Sequence, residues 1–158
     1  MSIVDRKYFS GFSIIELVVV VLLLGILSVF AIGRLFDQNQ FAARGFFDDT
    51  VNAVRFAQKL ALSSGCDVRV SLTAGGYVLN QRATSCELGA FTRAVPNPAN
   101  RATNYQNIAP DELIVPEVEI TFNSRGLPVA AGDIAVTMTG PGANYNFRVF
   151  AETGLVDV

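Results

Sequence analysis

Between Phe12 and Gly33 the chain carries one ionisable side chain, Glu16, in an otherwise apolar run. As a helix the run would measure roughly 33 Å at about 1.5 Å per residue, enough to cross a bilayer core. The stretch therefore reads as a membrane helix, and the rest of the chain has to be arranged around it. Arg6 and Lys7 stand just before it against one acid, Asp5. The positive-inside tendency keeps residues 1–11 in the cytoplasm and exports the part of the chain beyond the run. The run exceeds the roughly 7–15 apolar residues of a secretory signal, and no A-x-A site closes it. A plain uncleaved anchor accounts for the length but leaves Glu16 unexplained. An acid at the centre of a membrane helix costs about 2.5–3.5 kcal/mol on insertion scales, less near an end, and such residues are normally paired. Glu16 needs a cation.

The 158 residues leave room for about one domain beside the anchor. There is no histidine, which removes the commonest general base and metal ligand and excludes Ser–His and Cys–His mechanisms. No nucleophile elbow, phosphate loop or carboxylate pair emerges, so no enzyme, cofactor, metal or small-molecule substrate is expected. Arg82, Arg93, Arg101, Arg125 and Arg148 are scattered rather than clustered, and no nucleic-acid partner is expected. Asp111, Glu112, Glu117 and Glu119 lack a calcium-loop signature. Cys66 and Cys86 lie far from the apolar run and do not form a CxxC motif. In an oxidising compartment they are natural partners for one disulfide, which agrees with the export of that part of the chain.

Helical periodicity continues past Gly33. Phe47, Val51, Val54 and Ala61 recur at helix spacing, widened by Phe46, Ala53, Ala57 and Leu60, while Asp48, Asp49, Asn52, Arg55 and Lys59 fall elsewhere. One long helix is expected over about 12–62, ended by "SSGC" with Gly65 as its C-terminal cap. The period then changes to two. Val68, Val70 and Leu72, a "TAGG" turn, and Tyr77 and Leu79 predict a hairpin. A Cys66–Cys86 bridge would tie the far end of that hairpin to the helix terminus. Residues 87–112 show neither period and read as a long loop, either a solvated insertion or a surface for neighbouring subunits. Further strands are expected at "VEITF", "DIAVTM" and "YNFRVF", with a short last arm in "ETGLVDV". Covering the amphipathic half of the helix, these strands give an α+β domain.

The stretch "GFSIIELVVVVLLLGIL" behind a short basic leader resembles the class III signal of type IV pilins and type II secretion pseudopilins. The resemblance implies that a prepilin peptidase cuts between Gly11 and Phe12 on the cytoplasmic side and methylates the new amine of Phe12. Glycine suits the cut because no side chain obstructs the scissile bond. Cleavage would create the missing cation: the Phe12 amine lies one helical turn from Glu16, where an acid also suits the positive helix N-terminus. In the pilin family this pair is thought to form between an incoming subunit and its neighbour in the filament. Many pilins carry a proline near the place where Gly33 sits, and this chain departs there.

"ITFNSRGLP", "RVFAETGLVDV" and "FFDDTVNAVRFAQKLALSSGCDVRVSL" are similar to the H-type (GspH/FimT-like) minor pilins and pseudopilins. Within that subgroup the paired cysteines and the closing "GLVDV" look most like the minor pilins of the mannose-sensitive haemagglutinin (MSHA) pilus. The fold implied is pilin-like α+β, a long N-terminal helix packed on antiparallel β-sheets of a small globular domain. Residues 1–11 would be the cleaved leader, 12–33 the transmembrane and filament-core helix, and 34–158 a periplasmic or extracellular domain that includes the amphipathic half of the helix. The partners implied are the prepilin peptidase, other pilins of the filament and the inner membrane. The expected function is a minor structural subunit of a type IV pilus, the alternative an H-type pseudopilin of a type II secretion system.

Overall fold

The computed structural model describes residues 13–35 and 38–158, with side chains in the first helix as far as Ser28. Helix α1 (Ile14–Leu35) forms one unit, and Gln38–Val158 forms the other. The Ser13 carbonyl opens α1 by accepting from the Glu16 and Leu17 amides at 3.0 and 3.2 Å. Among the described residues no helix is long and apolar enough to cross a membrane. The span expected over 12–33 includes Phe12 and side chains beyond Ser28, outside the described part.

The second unit is built on α2 (Gln38–Ser64). Its buried positions are Ala43, Phe46, Phe47, Thr50, Val51, Ala53, Val54, Ala57 and Ala61, the helical stripe expected from the sequence with Ala43 and Thr50 added and with Leu60 only half-buried. Thr50 is tolerated in the core because its hydroxyl donates to the Phe46 carbonyl at 2.8 Å. Gly65 ends the helix in the left-handed region (φ 67°), its amide donating to the Ala61 carbonyl at 3.0 Å.

Two antiparallel sheets pack against α2. The first contains β1 (Val68–Thr73), β2 (Gly76–Arg82), β3 (Phe91–Ala94), β4 (Gln106–Ile108) and β5 (Val118–Phe122). Its order is β3-β2-β1-β5, with β4 also pairing β2. Val68, Val70 and Leu72 of β1 and Ile120 and Phe122 of β5 face inward, as their period of two requires. The second sheet has the order β6-β7-β8, from Ile134–Gly140, Ala143–Val149 and Val156–Asp157. The side chains of Val136, Met138, Tyr145, Phe147 and Val149 complete the core.

Residues 87–112 depart from the long loop expected of them, because they contain β3 and β4. Both strands lie along one edge of β2, β3 opposite residues 80–82 and β4 opposite 76–78. Leu79 stands between them, donating to the Tyr105 carbonyl while its own carbonyl accepts from Val95. Val95 and Tyr105 are buried, so the excursion between them is pinned at its base. Neither strand has a buried face of its own, which is why no alternation marks them.

Candidate assembly site

Glu16 lies in the first turn of α1 and is exposed. An acid in the first turn is favoured by the positive end of the helix macrodipole. Gly11 and Phe12, expected to flank a cleavage site and to supply the methylated amine, lie outside the described residues. Behind Glu16 the large apolar side chains from Ile14 to Leu27 are 46–84% exposed, on every side of the helix. A helix apolar all round is suited to a core or to lipid. Ser28, the single hydroxyl between Ile14 and Ser28, satisfies itself by donating to the Leu24 carbonyl at 2.6 Å.

In the second unit the end of α2 is fastened to its strands in three ways. Cys66 and Cys86 form a disulfide, with Cα atoms 4.1 Å apart. It joins the residue after Gly65 to the segment following β2, and Asp67 donates its amide to the Cys86 carbonyl at 2.9 Å. Beside it the Arg82 guanidinium pairs with Asp67 at 2.8 Å and donates to the Gly89 carbonyl at 2.8 Å. Phe91 of β3 is held between two cations, with Arg69 at 4.0 Å and Arg82 at 4.3 Å from its ring centre. Arg69 in turn pairs with Glu119 on β5 at 2.8 Å.

The third fastening lies under the turns of "NSRG" and "ETG". Gln58 donates through Nε2 to the carbonyls of Gly126 (3.3 Å) and Thr153 (3.1 Å). Gly126 and Gly154 both have left-handed backbones, φ 71° and 68°. A Cβ on Gly126 would meet Leu62 at 2.7 Å, and one on Gly154 would run into the Gly126 carbonyl. The two turns fit against α2 and each other only without side chains. Their glycines stand in the segments "ITFNSRGLP" and "RVFAETGLVDV" that carried the finer resemblance, but Gln58, the residue joining them, gave no signal in the sequence.

A polar cluster closes the other end of the first sheet. Asp49 Oδ2 accepts from the Tyr77 hydroxyl at 2.5 Å and from Asn107 Nδ2 at 2.8 Å. Burial, reinforced by the hydrogen bond to Asp49 and by that carboxylate's charge, raises the Tyr77 phenol above the ordinary tyrosine pKa. Burial and the Asp49 charge raise Tyr105 as well. Among the described residues no group of three or more histidine, cysteine or acidic side chains could hold a metal ion.

Residues 6–32 match the family described as the prokaryotic N-terminal methylation motif. No curated protein matches the chain. Among solved structures the chain is similar to the type IV minor pilin FimU of Pseudomonas aeruginosa, at 13% identity and a TM-score of 0.51 over 77% of this chain and 88% of that one. A second crystal form of the same protein matches at 14% identity and a TM-score of 0.49, over 75% of this chain and 90% of that one. The fold behind the N-terminal motif is thus pilin-like α+β, with a helix packed on antiparallel sheets. Residues 6–32 carry the methylation motif, and the domain behind it shares its fold with a minor pilin.

Proposed function

We propose that the chain is a minor structural subunit of an MSHA-type type IV pilus, similar to MshC, which enters or initiates the filament and catalyses nothing. Prepilin peptidase removes residues 1–11 by cutting between Gly11 and Phe12 and methylates Phe12. Residues 12–33 hold the precursor in the inner membrane as a single pass, with the domain from residue 34 onward in the periplasm, and then enter the filament core. Glu16 draws the mature subunit into register by pairing with a Phe12 amine.

The observation that carries this reading is Glu16 in the first turn of a helix whose apolar side chains are exposed all round, inside the matched motif. The run Val18–Val21 adds support. Consecutive β-branched residues are poor helix formers in water, whereas lipid favours a helix because its backbone polar groups have no other partner. The paired cysteines and the closing "GLVDV" favour the MSHA type.

Glu16→Val tests the pairing. Cleavage, read by the mass of the membrane-extracted protein, should be intact, while the amount recovered in sheared filaments should fall several-fold. Full incorporation of the variant would refute the pairing, and retention of residues 1–11 in cells with active prepilin peptidase would refute the pilin reading. Deleting the chain should reduce piliation and spare type II secretion; the reverse result would make it an H-type pseudopilin.

A further inference from the structure

The excursion over 95–105 lies against one flank of α2. Phe56 and Leu60, one helical turn apart, line a groove of about 440 Å³ together with Val95, Pro96 and Pro98, and Arg101 stands at its rim. Tyr105 packs edge-on against Phe56 with ring centres 5.2 Å apart. The buried Gln81, also in the lining, accepts from Arg93 at 2.8 Å and donates to Ser64 Oγ at 3.4 Å, so its polar ends are used within the domain. Arg55, Gln58 and Leu62 mark the flank of α2 that meets β8 and the turns at Gly126 and Gly154; Phe56 and Leu60 lie on the other flank.

The loop at the rim is held by its own bonds. The Asn97 amide donates to the Thr103 carbonyl at 2.9 Å and the Arg101 amide to the Asn97 carbonyl at 2.8 Å, while Asn100 Oδ1 accepts from the Ala102 and Thr103 amides. Within this frame Arg101 has a left-handed backbone, φ 52°, the only non-glycine to do so among the described residues. Glycine takes that conformation freely and arginine does not. The loop therefore spends stability to hold a guanidinium beside the groove, and strain of this kind collects at binding sites.

The charges around the groove are uncompensated. The ion pairs among the described residues are Arg44–Asp48, Arg69–Glu119 and Arg82–Asp67, and Arg101 is in none of them. Neither is Arg93, nor the exposed Lys59 one turn from Phe56. No acid lines the groove. Other grooves of the domain differ: one carries Asp133 and Glu152, one Asp111 and Glu112, one sets Arg148 beside Asp157, and one is uncharged. Aromatic, aliphatic and proline walls suit an apolar side chain, and the guanidinium at the rim suits a carboxylate next to it. A run of phosphates would need polar donors along walls that have few.

We propose that this groove seats a segment of a neighbouring filament subunit in which an acid stands beside an apolar side chain. The apolar group lies against Phe56, Leu60 and the two prolines, and the carboxylate pairs with Arg101. This inference rests on the reading of the chain as a filament subunit.

Three full-chain variants test it. Arg101→Gly removes the cation and relieves the backbone, so its melting temperature should stay level or rise while recovery in sheared filaments falls several-fold. A purely structural arginine would lower both. Arg101→Glu reverses the charge, and its recovery should fall further than that of the glycine variant. In the third, p-benzoylphenylalanine replaces the exposed Ala99 beside Pro98, and irradiated filaments should yield an adduct to another subunit, mapped by mass spectrometry to a segment with an acid at the attachment point. If the glutamate variant fails to fold, as judged by its disulfide and its melt, the glycine variant decides. Wild-type recovery or a lowered melt of the glycine variant overturns the proposal, as does a folded glutamate variant recovered as well as glycine. Adducts only to a second copy of this chain, or only to segments without an acid, overturn the choice of partner. A wild-type chain that is uncleaved and absent from filaments would overturn the pilin reading itself, a result distinct from all of these.

Discussion

A single oxygen of Asp49 holds three elements together, because it accepts from Tyr77 on β2 and from Asn107 on β4 while sitting on α2. The raised pKa of Tyr77 makes this contact visible in solution. A folded pKa above the unfolded one gives stability that is complete below the ordinary tyrosine value of about 10 and is lost as pH rises beyond it. Thermal melts of the detergent-solubilised chain should therefore be level up to about pH 10 and then decline. Tyr77→Phe should cost about 1.5–3 kcal/mol at neutral pH, since it deletes a hydrogen bond to a charged group, and should flatten the alkaline decline. Tyr105 supplies what remains of that decline; an unchanged alkaline slope in the variant would remove Tyr77 from this account. Asp49 was not legible as a junction, because Asn107 lies 58 residues away and nothing local couples them. Glu16 was legible for the opposite reason, since an ion in an apolar run contradicts its immediate surroundings.

Among the elements, the strands that alternate were readable and those that do not were hidden. β1, β2 and β5 each bury every second side chain, and β7 does so over Tyr145, Phe147 and Val149. β3 and β4 bury none, and only their bonds to the edge of β2 define them. The break between "VEITF" and "DIAVTM" shows in the sequence, but the turn at Gly154, inside what reads as a last strand arm, and its meeting with Gly126 under Gln58 do not. Gly126→Ala should lower stability by about 1–3 kcal/mol, combining a left-handed backbone with the approach of Leu62. Denaturant titration of this variant against the exposed, unstrained Gly132→Ala measures the difference. Equal midpoints for the two would show that the turn tolerates a side chain.

At the scale of the whole molecule the chain consists of an apolar helix and a domain whose core is complete around α2. The α+β class was legible because the period changes from 3.6 to 2 at Gly65. The division of the strands into two sheets was not, since partner choice depends on long-range pairings such as that of β1 with β5. The disulfide between Cys66 and Cys86 belongs wholly to that domain, and no free cysteine remains. The bond thereby becomes a record of where the domain matured, since thiols stay reduced in the cytosol and pair in an oxidising space. Intact cells treated with a thiol-blocking reagent and then lysed in denaturant should yield a chain with no reactive thiol until reductant is added. A chain whose two thiols react without reductant would mean that the domain never left the cytosol. The two sulfur atoms thus act as an internal reporter of topology and need no added tag.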